Sequence, residues 1–322
     1  MSRACESAVF AAPRRQRGVA LLVALLVVAL AVILVAALLD RGELALARTR
    51  NLSRAEQAEA YAQGLELYAG HVLLATQAQQ PGVDTNASAW AMPMPPQEVP
   101  GGLIGATMRD LNGCFNLNNL VPGLAHQGEW EGVFKRLLTV RGVDPQLAGA
   151  VEDWLDPGAT GTSDNTYLAQ PVPYRAAHRN FAHVSELRLV AGVNGDVYAR
   201  LAPYVCALPS GTRINVNTAS VPVLQSLGAS GIPQPIAEKL RNDGHADYED
   251  LALFAADAGD SSLATSPLLA TASSYFLARG DIVLDGIPIT FYSLIQRAGG
   301  ISVIERSRGG DGMPNPLFAT PR

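Results

Sequence analysis

Charge is what this chain has little of. Only 16% of its 322 residues are Asp, Glu, Lys or Arg, and the formal net charge is −5. A nucleic-acid partner would call for a basic stripe; none is present, and the arginine cluster near the start has another explanation, given below. Cysteine is scarce too. Cys5, Cys114 and Cys206 are all there are. None forms a Cys-x-x-Cys or sits near a histidine at metal-ligand spacing, so a structural zinc site is not indicated. The five histidines make no ligand pattern, and His178 and His183 read as polar surface or cap residues. His-Glu-x-x-His, Gly-x-Ser-x-Gly, a phosphate-cradling glycine loop and a thioredoxin-like pair are all missing. Triads can assemble from distant residues, but nothing in the sequence points to one, and the chain reads as a non-enzyme.

What is present begins at Val19. From there to Leu39 run 21 residues without charge, strong polarity or proline. As a helix they would span roughly 30 Å, one hydrocarbon thickness. A cleaved secretory signal has a shorter apolar stretch and a small-residue cleavage site after it; here the run ends at Asp40-Arg41. Arg14, Arg15 and Arg17 stand just before it, which puts the N-terminus in the cytoplasm and the rest outside. The expectation is a single-pass anchor with the bulk of the chain on the far side of the membrane.

The helical pattern continues past the membrane. Leu44, Leu46, Leu52, Ala55, Ala58, Ala62, Leu65, Tyr68, Ala69, Val72 and Leu73 follow one another at roughly helical spacing, and nothing breaks the helix before Pro81. The outer part of so long a helix must lay its stripe on something, most simply a sheet. Residues 273–309 supply a candidate. Apolar residues alternate there across Gly280-Asp281, Asp285-Gly286 and Gly299-Gly300, the pattern of an antiparallel meander. Pro81 to Pro100 reads as the loop leaving the helix, and 102–120 as one or two short strands with a turn at Asp110–Gly113. Between these parts lie short amphipathic helices within 129–156, 181–193, 214–228, 233–244 and 247–257.

In an oxidising compartment Cys114 and Cys206 form one disulfide or remain two buried thiols; the compartment favours the disulfide. The loop "DWLDPGATGTSDNTYL" (153–168) gathers Asp153, Asp156, Asp164 and Asn165 among glycines. Hard oxygen donors on such a loop suit calcium, although the spacing is not that of an EF-hand, and a solvated polar loop is the plainer reading.

Several features together resemble the type IV pilin and pseudopilin superfamily: the basic leader, the junction Arg17-Gly18-Val19 hard against the apolar run, and the long emerging helix. Most members carry a glutamate five residues after the cut. Here that position is Val23, a departure that resembles the large K-type minor pseudopilins of the type II secretion system. The phrases "CFNLNNL" (114–120), "PYRAAHRNFAHVSELRLVAGV" (173–193) and "INVNTA" (214–219) resemble the same family.

The resemblance implies an α+β fold, with the long helix packed on an antiparallel sheet and a large all-helical insertion. It implies a leader 1–18 removed by prepilin peptidase between Gly18 and Val19, a membrane segment 19–39 and an outer helix 40–80. A pilin-like domain would then occupy 81–120 and 266–305, around a helical domain 121–265, with a disordered tail 306–322. It also implies calcium, with Asp156, Asp164 and Asn165 as ligands. The function implied is that of a tip subunit of the secretion pseudopilus. Its partners would be the I-type and J-type minor pseudopilins, the major pseudopilin, the inner-membrane secretion platform and passing exported substrates. Val23 fits a tip position: a buried carboxylate in the bilayer is costly unless paired, and a subunit above all others has no use for one. Two rivals remain at this point, an unprocessed anchored scaffold or binding protein and an anchored periplasmic hydrolase.

Overall fold

The computed structural model describes residues 17–159 and 162–308. Arg14, Arg15, Cys5 and most of the 306–322 tail lie outside the described residues. Helix α1 (Arg17–Gln79) stops two residues short of Pro81, the predicted breaker. The chain divides into two compact units, one up to Glu59 and one from Ala60 onward.

In the first unit every large apolar side chain from Val19 to Leu39 is at least half exposed, Leu26 to 70%. Among the described residues no protein surface covers them, and so long an unbroken apolar surface suits a hydrocarbon environment. This is the single membrane-spanning helix among the described residues.

The second unit opens with the last turns of α1, where Ala62, Leu65, Ala69 and Leu73 are buried. Spaced three or four apart, they form one face. That face lies on a five-stranded antiparallel sheet in the order β1 (Met94–Val99), β2 (Gly102–Asp110), β7 (Tyr275–Leu284), β8 (Ile287–Arg297) and β9 (Ile301–Ser307). Ala69 and Leu73 cluster with Trp90, Phe276, Ala278 and Ile295, so the even-numbered residues of β7 face the helix, as a period of two requires.

Three details depart from the sequence reading. The stretch 81–100, read as loop, contains β1. Its Pro95 and Pro96 cannot donate to a ladder, and β1 is an edge strand whose register slips between Met94 and Gln97, where prolines are tolerated. Gly280-Asp281, read as a turn, lies mid-strand: β7 runs through it paired to both neighbours. The glycine is there because a Cβ at 280 would stand 2.9 Å from Leu65 Cδ1 where α1 crosses. Asp281 instead pairs with Arg279 at 2.8 Å on the opposite face. The third is the start of the tail: Arg306 and Ser307 belong to β9, so the sheet extends past the boundary expected at 305. The Asp285-Gly286 turn is as expected, with positive φ at both residues.

Between β2 and β7 the chain makes the helical block: β3 (Phe115–Asn116), α2 (Gln127–Val140), α3 (Leu147–Leu155), α4 (Thr162–Leu168), α5 (Gly195–Leu201), β4 (Val205–Cys206), β5 (Ile214–Asn215), α6 (Val221–Gln225), α7 (Gln234–Arg241), α8 (Leu251–Ala258) and β6 (Leu269–Ala270). One apolar core runs from Phe115 to Leu269, with Phe134 stacked on Phe115 at 5.0 Å. The architecture is a long helix on an antiparallel sheet with a large helical insertion, the fold class expected.

Candidate functional site

Gly18 and Val19 fall in the first turn of α1, and Val23 lies one turn further with its side chain 53% exposed. From Val19 to Leu39 no side chain ionises, so this part of the helix carries no charge to bury.

Two short parallel strand pairs close the helical block. Phe115 and Asn116 of β3 pair with Val205 and Cys206 of β4, beside the Cys114–Cys206 disulfide. Ile214 and Asn215 of β5 pair with Leu269 and Ala270 of β6. The disulfide spans 92 residues, for which loop-closure entropy gives about 4.6 kcal/mol.

The phrase "CFNLNNL" turns out to be a set of pins. Asn116 accepts from Leu208 N at 2.9 Å, Asn118 accepts from Phe181 N at 2.7 Å, and Asn119 accepts from Gly211 N at 2.8 Å. All three are buried. Their amides replace a strand ladder by bonding backbone groups some 60 to 90 residues away, which satisfies donors and acceptors that burial would otherwise orphan.

Where the block meets the sheet lies a buried polar junction that the sequence did not reveal. Asp110, at the end of β2, accepts from Asn112 N at 2.7 Å, Ser273 Oγ at 2.6 Å, Asn215 Nδ2 at 3.2 Å and the Thr218 hydroxyl. Asn215 also donates to Asp84 O at 3.0 Å. The Asp84 carboxylate accepts from Ser273 N at 2.8 Å and is ion-paired to Arg297 at the end of β8. Arg297 in turn donates to Ser273 O and Leu73 O. Burial pushes the Asp110 carboxyl up to about 6, against the hydrogen bonds that pull it down. "INVNTA", read as a strand leading into a capping turn, does form the Asx turn, with Asn217 N donating to Asn215 Oδ1. Its larger role is to supply Asn215 and Thr218 to this junction. The available signal was polar residues at positions whose neighbours are core: Asn215 beside Ile214 and Val216, and Arg297 closing an apolar strand.

A second polar contact ties α1 to the sheet edge. Glu66 accepts from Ser293 Oγ and Arg306 Nη2, both at 2.5 Å. Burial raises its carboxyl, but the bonds from Arg306 and Ser293 outweigh it and hold it below the ordinary range.

Part of the stretch read as a calcium loop is helical. Asp164 and Asn165 lie on α4, and adjacent helical residues point about 100° apart. Tyr167, three residues on from Asp164, packs edge-on against Trp154 at 5.4 Å. Asp164 shares that inward face, and Asn165 is exposed. Asp164 Oδ1 accepts from Ala176 N at 3.3 Å and lies 3.3 Å from His178 Nε2. Asp156 Oδ1 accepts from Gly158 N at 2.8 Å, while its carbonyl lies 2.9 Å from His178 Nδ1. The oxygens are of the type calcium takes, but an imidazole stands between the two residues. Among the described residues no cluster of three or more His, Cys, Asp or Glu is placed to hold a metal. His183, expected as a cap, caps the 3₁₀ turn Val184–Leu189 through a reciprocal pair with Glu186.

Residues 113–210 match the family model described as type II secretion system (T2SS), protein K. The type II secretion system protein K of Pectobacterium carotovorum subsp. carotovorum is 32% identical, covering 94% of this chain and 99% of its own. That of Pseudomonas aeruginosa is 35% identical, covering 94% and 96%. A chain in the crystal structure of the GspK-GspI-GspJ complex from the enterotoxigenic Escherichia coli type 2 secretion system superposes with a TM-score of 0.70. It is 30% identical, and the match covers 81% of this chain and 99% of that one. The likeness therefore runs through the membrane helix, the sheet and the pinned helical block alike, and this chain belongs to the type II secretion system protein K family.

Proposed function

We propose that this chain is a non-enzymatic minor pseudopilin that sits at the tip of the type II secretion pseudopilus, helps start its assembly and aids export of folded proteins. The observation that carries the proposal is the outer end of α1 packed on the sheet, continuous in sequence with an apolar membrane segment that has Val23 where most pilin-like chains have a glutamate. The similar structure is a complex of K, I and J components, which supports I-type and J-type minor pseudopilins as partners. The major pseudopilin, the secretion platform and exported substrates complete the proposed set.

Prepilin peptidase would cut between Gly18 and Val19 and leave a free amine on Val19 for methylation. The test is the intact mass and N-terminal residue of the protein taken from its native membrane. A chain starting at Val19 and about 14 mass units heavy, one methyl group, supports the proposal. A chain retaining Arg17-Gly18 leaves a plain anchored periplasmic protein.

Calcium is proposed for the oxygens of Asp156 and Asp164, on the strength of their hard-donor chemistry. Asn165 would join only with α4 opened. Melting of the full chain in detergent, in calcium against chelator, tests this: binding to the folded chain raises the midpoint.

A further inference from the structure

We infer that the face of the sheet turned away from α1 forms a docking groove for an extended segment of an exported protein. The segment it fits has an acidic residue at one end, a basic residue four positions along and an apolar residue midway. The exported source rests on the pseudopilin reading above; the groove and its charge pattern do not.

An open groove of about 650 Å³ runs between that face and the helical block, a size usual for ligand clefts. Its floor is one cross-strand row. Arg109 of β2 pairs with Leu277 of β7, Leu277 with Leu294 of β8, and Leu294 with Glu305 of β9. Directly paired residues share a face, and the even-numbered residues of β7 face α1, so this row lies on the other side. All four residues line the groove, and Tyr198 and Pro203 of the block stand on the facing wall. The floor therefore reads cation, apolar, apolar, anion across four strands.

Neighbouring strands are about 4.8 Å apart, so three spacings put about 14 Å between the charged ends of the row. An extended chain rises about 3.3 Å per residue and turns alternate side chains to one side. Its first, third and fifth residues then meet the floor, with the first and fifth about 13 Å apart. A carboxylate on one answers Arg109, a cation on the other answers Glu305, and an apolar third side chain lies over the two leucines. A segment with the same charge at both ends meets repulsion at one of them. Arg241 and Asp243 also line the groove, but their opposite charges stand two residues apart in one turn and offset each other. Asp110, at its margin, is taken up by the junction bonds.

The groove's position points to the source of the segment. On the other face of the sheet, α1 keeps Leu67 and Leu74 71% and 45% exposed. Two turns apart, they offer neighbouring subunits an apolar helix stripe to pack on. The groove lies on the opposite side of the sheet, open to a chain outside the stack.

The experiment titrates the detergent-solubilised full chain, unaltered or carrying Glu305→Arg, with three acetylated and amidated peptides by calorimetry. They are Glu-Thr-Leu-Thr-Arg, Glu-Thr-Leu-Thr-Glu and Arg-Thr-Leu-Thr-Arg. The unaltered chain should bind the mixed-charge peptide about fivefold more tightly than either of the others, the effect of one exposed ion pair. Glu305→Arg should move that preference to the peptide with two glutamates. Binding of none, or binding indifferent to the end charges, overturns the groove. The same variant placed in the native secretion system should lower release of exported proteins several-fold, while the chain still starts at Val19 and still co-purifies with its I-type and J-type neighbours. Undiminished release, or loss of those neighbours, overturns the exported source. A chain retaining Arg17-Gly18 fails the pseudopilin reading itself and takes that source with it, whatever the peptides show.

Discussion

The helical block is held by one continuous apolar core from Phe115 to Leu269, whereas the sheet meets α1 along a short seam of Ala62, Leu65, Ala69 and Leu73 reinforced by ion pairs. The block could lose any one contact and keep its general shape, because apolar packing is non-directional and shared among many neighbours. The seam and the junction behind it are directional. Asp84, Arg297, Asp110, Asn215 and Ser273 satisfy one another in one arrangement only. A buried network of that kind specifies geometry more than it adds stability. Within the second unit, the stiffness between block and sheet belongs at that junction.

The largest expected effect falls on the block. Phe134→Ala should cost about 3–5 kcal/mol, as emptied aromatic core sites do, in urea unfolding of the full chain followed by near-ultraviolet circular dichroism. Next comes the junction. Arg297→Ala leaves the buried Asp84 carboxylate without its partner and should cost about 3 kcal/mol. Because the block's own core is untouched, hydrogen exchange should rise around Asp84, Ser273 and Asn215 and stay protected around Phe134. Equal loss of protection in both places would show that the two regions are one cooperative unit.

The two carboxylates then pull in opposite directions with pH. The folded Asp110 pKa, about 6, is above its ordinary value of 3.8, so between those values the folded chain holds a proton the unfolded chain has released. Stability through Asp110 is full below about pH 4 and falls by up to about 3 kcal/mol as pH rises past 6. Asp110→Asn should flatten that slope in denaturation midpoints measured from pH 4 to 8. Glu66 is depressed instead, so its contribution is present above the ordinary glutamate value and lost as pH falls through the folded one. It is partly exposed, so Glu66→Gln should cost about 1 kcal/mol or less at pH 7. Extended further into acid, the same series should show that cost shrink as Glu66 takes up its proton.

Periodic features were legible in the sequence. The stripe Ala62, Leu65, Ala69, Leu73, the meander's alternation and the Cys114–Cys206 pair each depend on local spacing or on a count. The junction was not, because Asp110, Asn215 and Ser273 meet across more than 50 residues and each looks locally like a turn residue. Gly280-Asp281 misled for the same reason: the dipeptide signals a turn, and only the crossing helix explains why it lies within a strand. The prolines of β1 concealed a strand that only an edge could accept. At the loop read as a calcium site, spacing could show neither that Asp164 and Asn165 lie on a helix nor that the His178 ring stands against Asp164.

The sheet's order has a consequence in time. β2 pairs along its whole length with β7, from Gly102↔Leu284 to Asp110↔Phe276, and all of the helical block lies between them in the chain. A chain synthesised and exported from its N-terminus therefore presents β1 and β2 first, with the inner edge of β2 bare. At translation rates of about 5–20 residues per second, the 164 residues between Asp110 and Tyr275 keep β7 away for about 8–33 s. The slipped, proline-bearing β1 can guard only the outer edge; the inner one is an open template for any passing strand. The block must fold and bring its two ends together, through β3–β4 and β5–β6, before the vacancy is filled. The insertion that enlarges this subunit thus also sets the order of its maturation, and makes the newborn hairpin the step most in need of a chaperone.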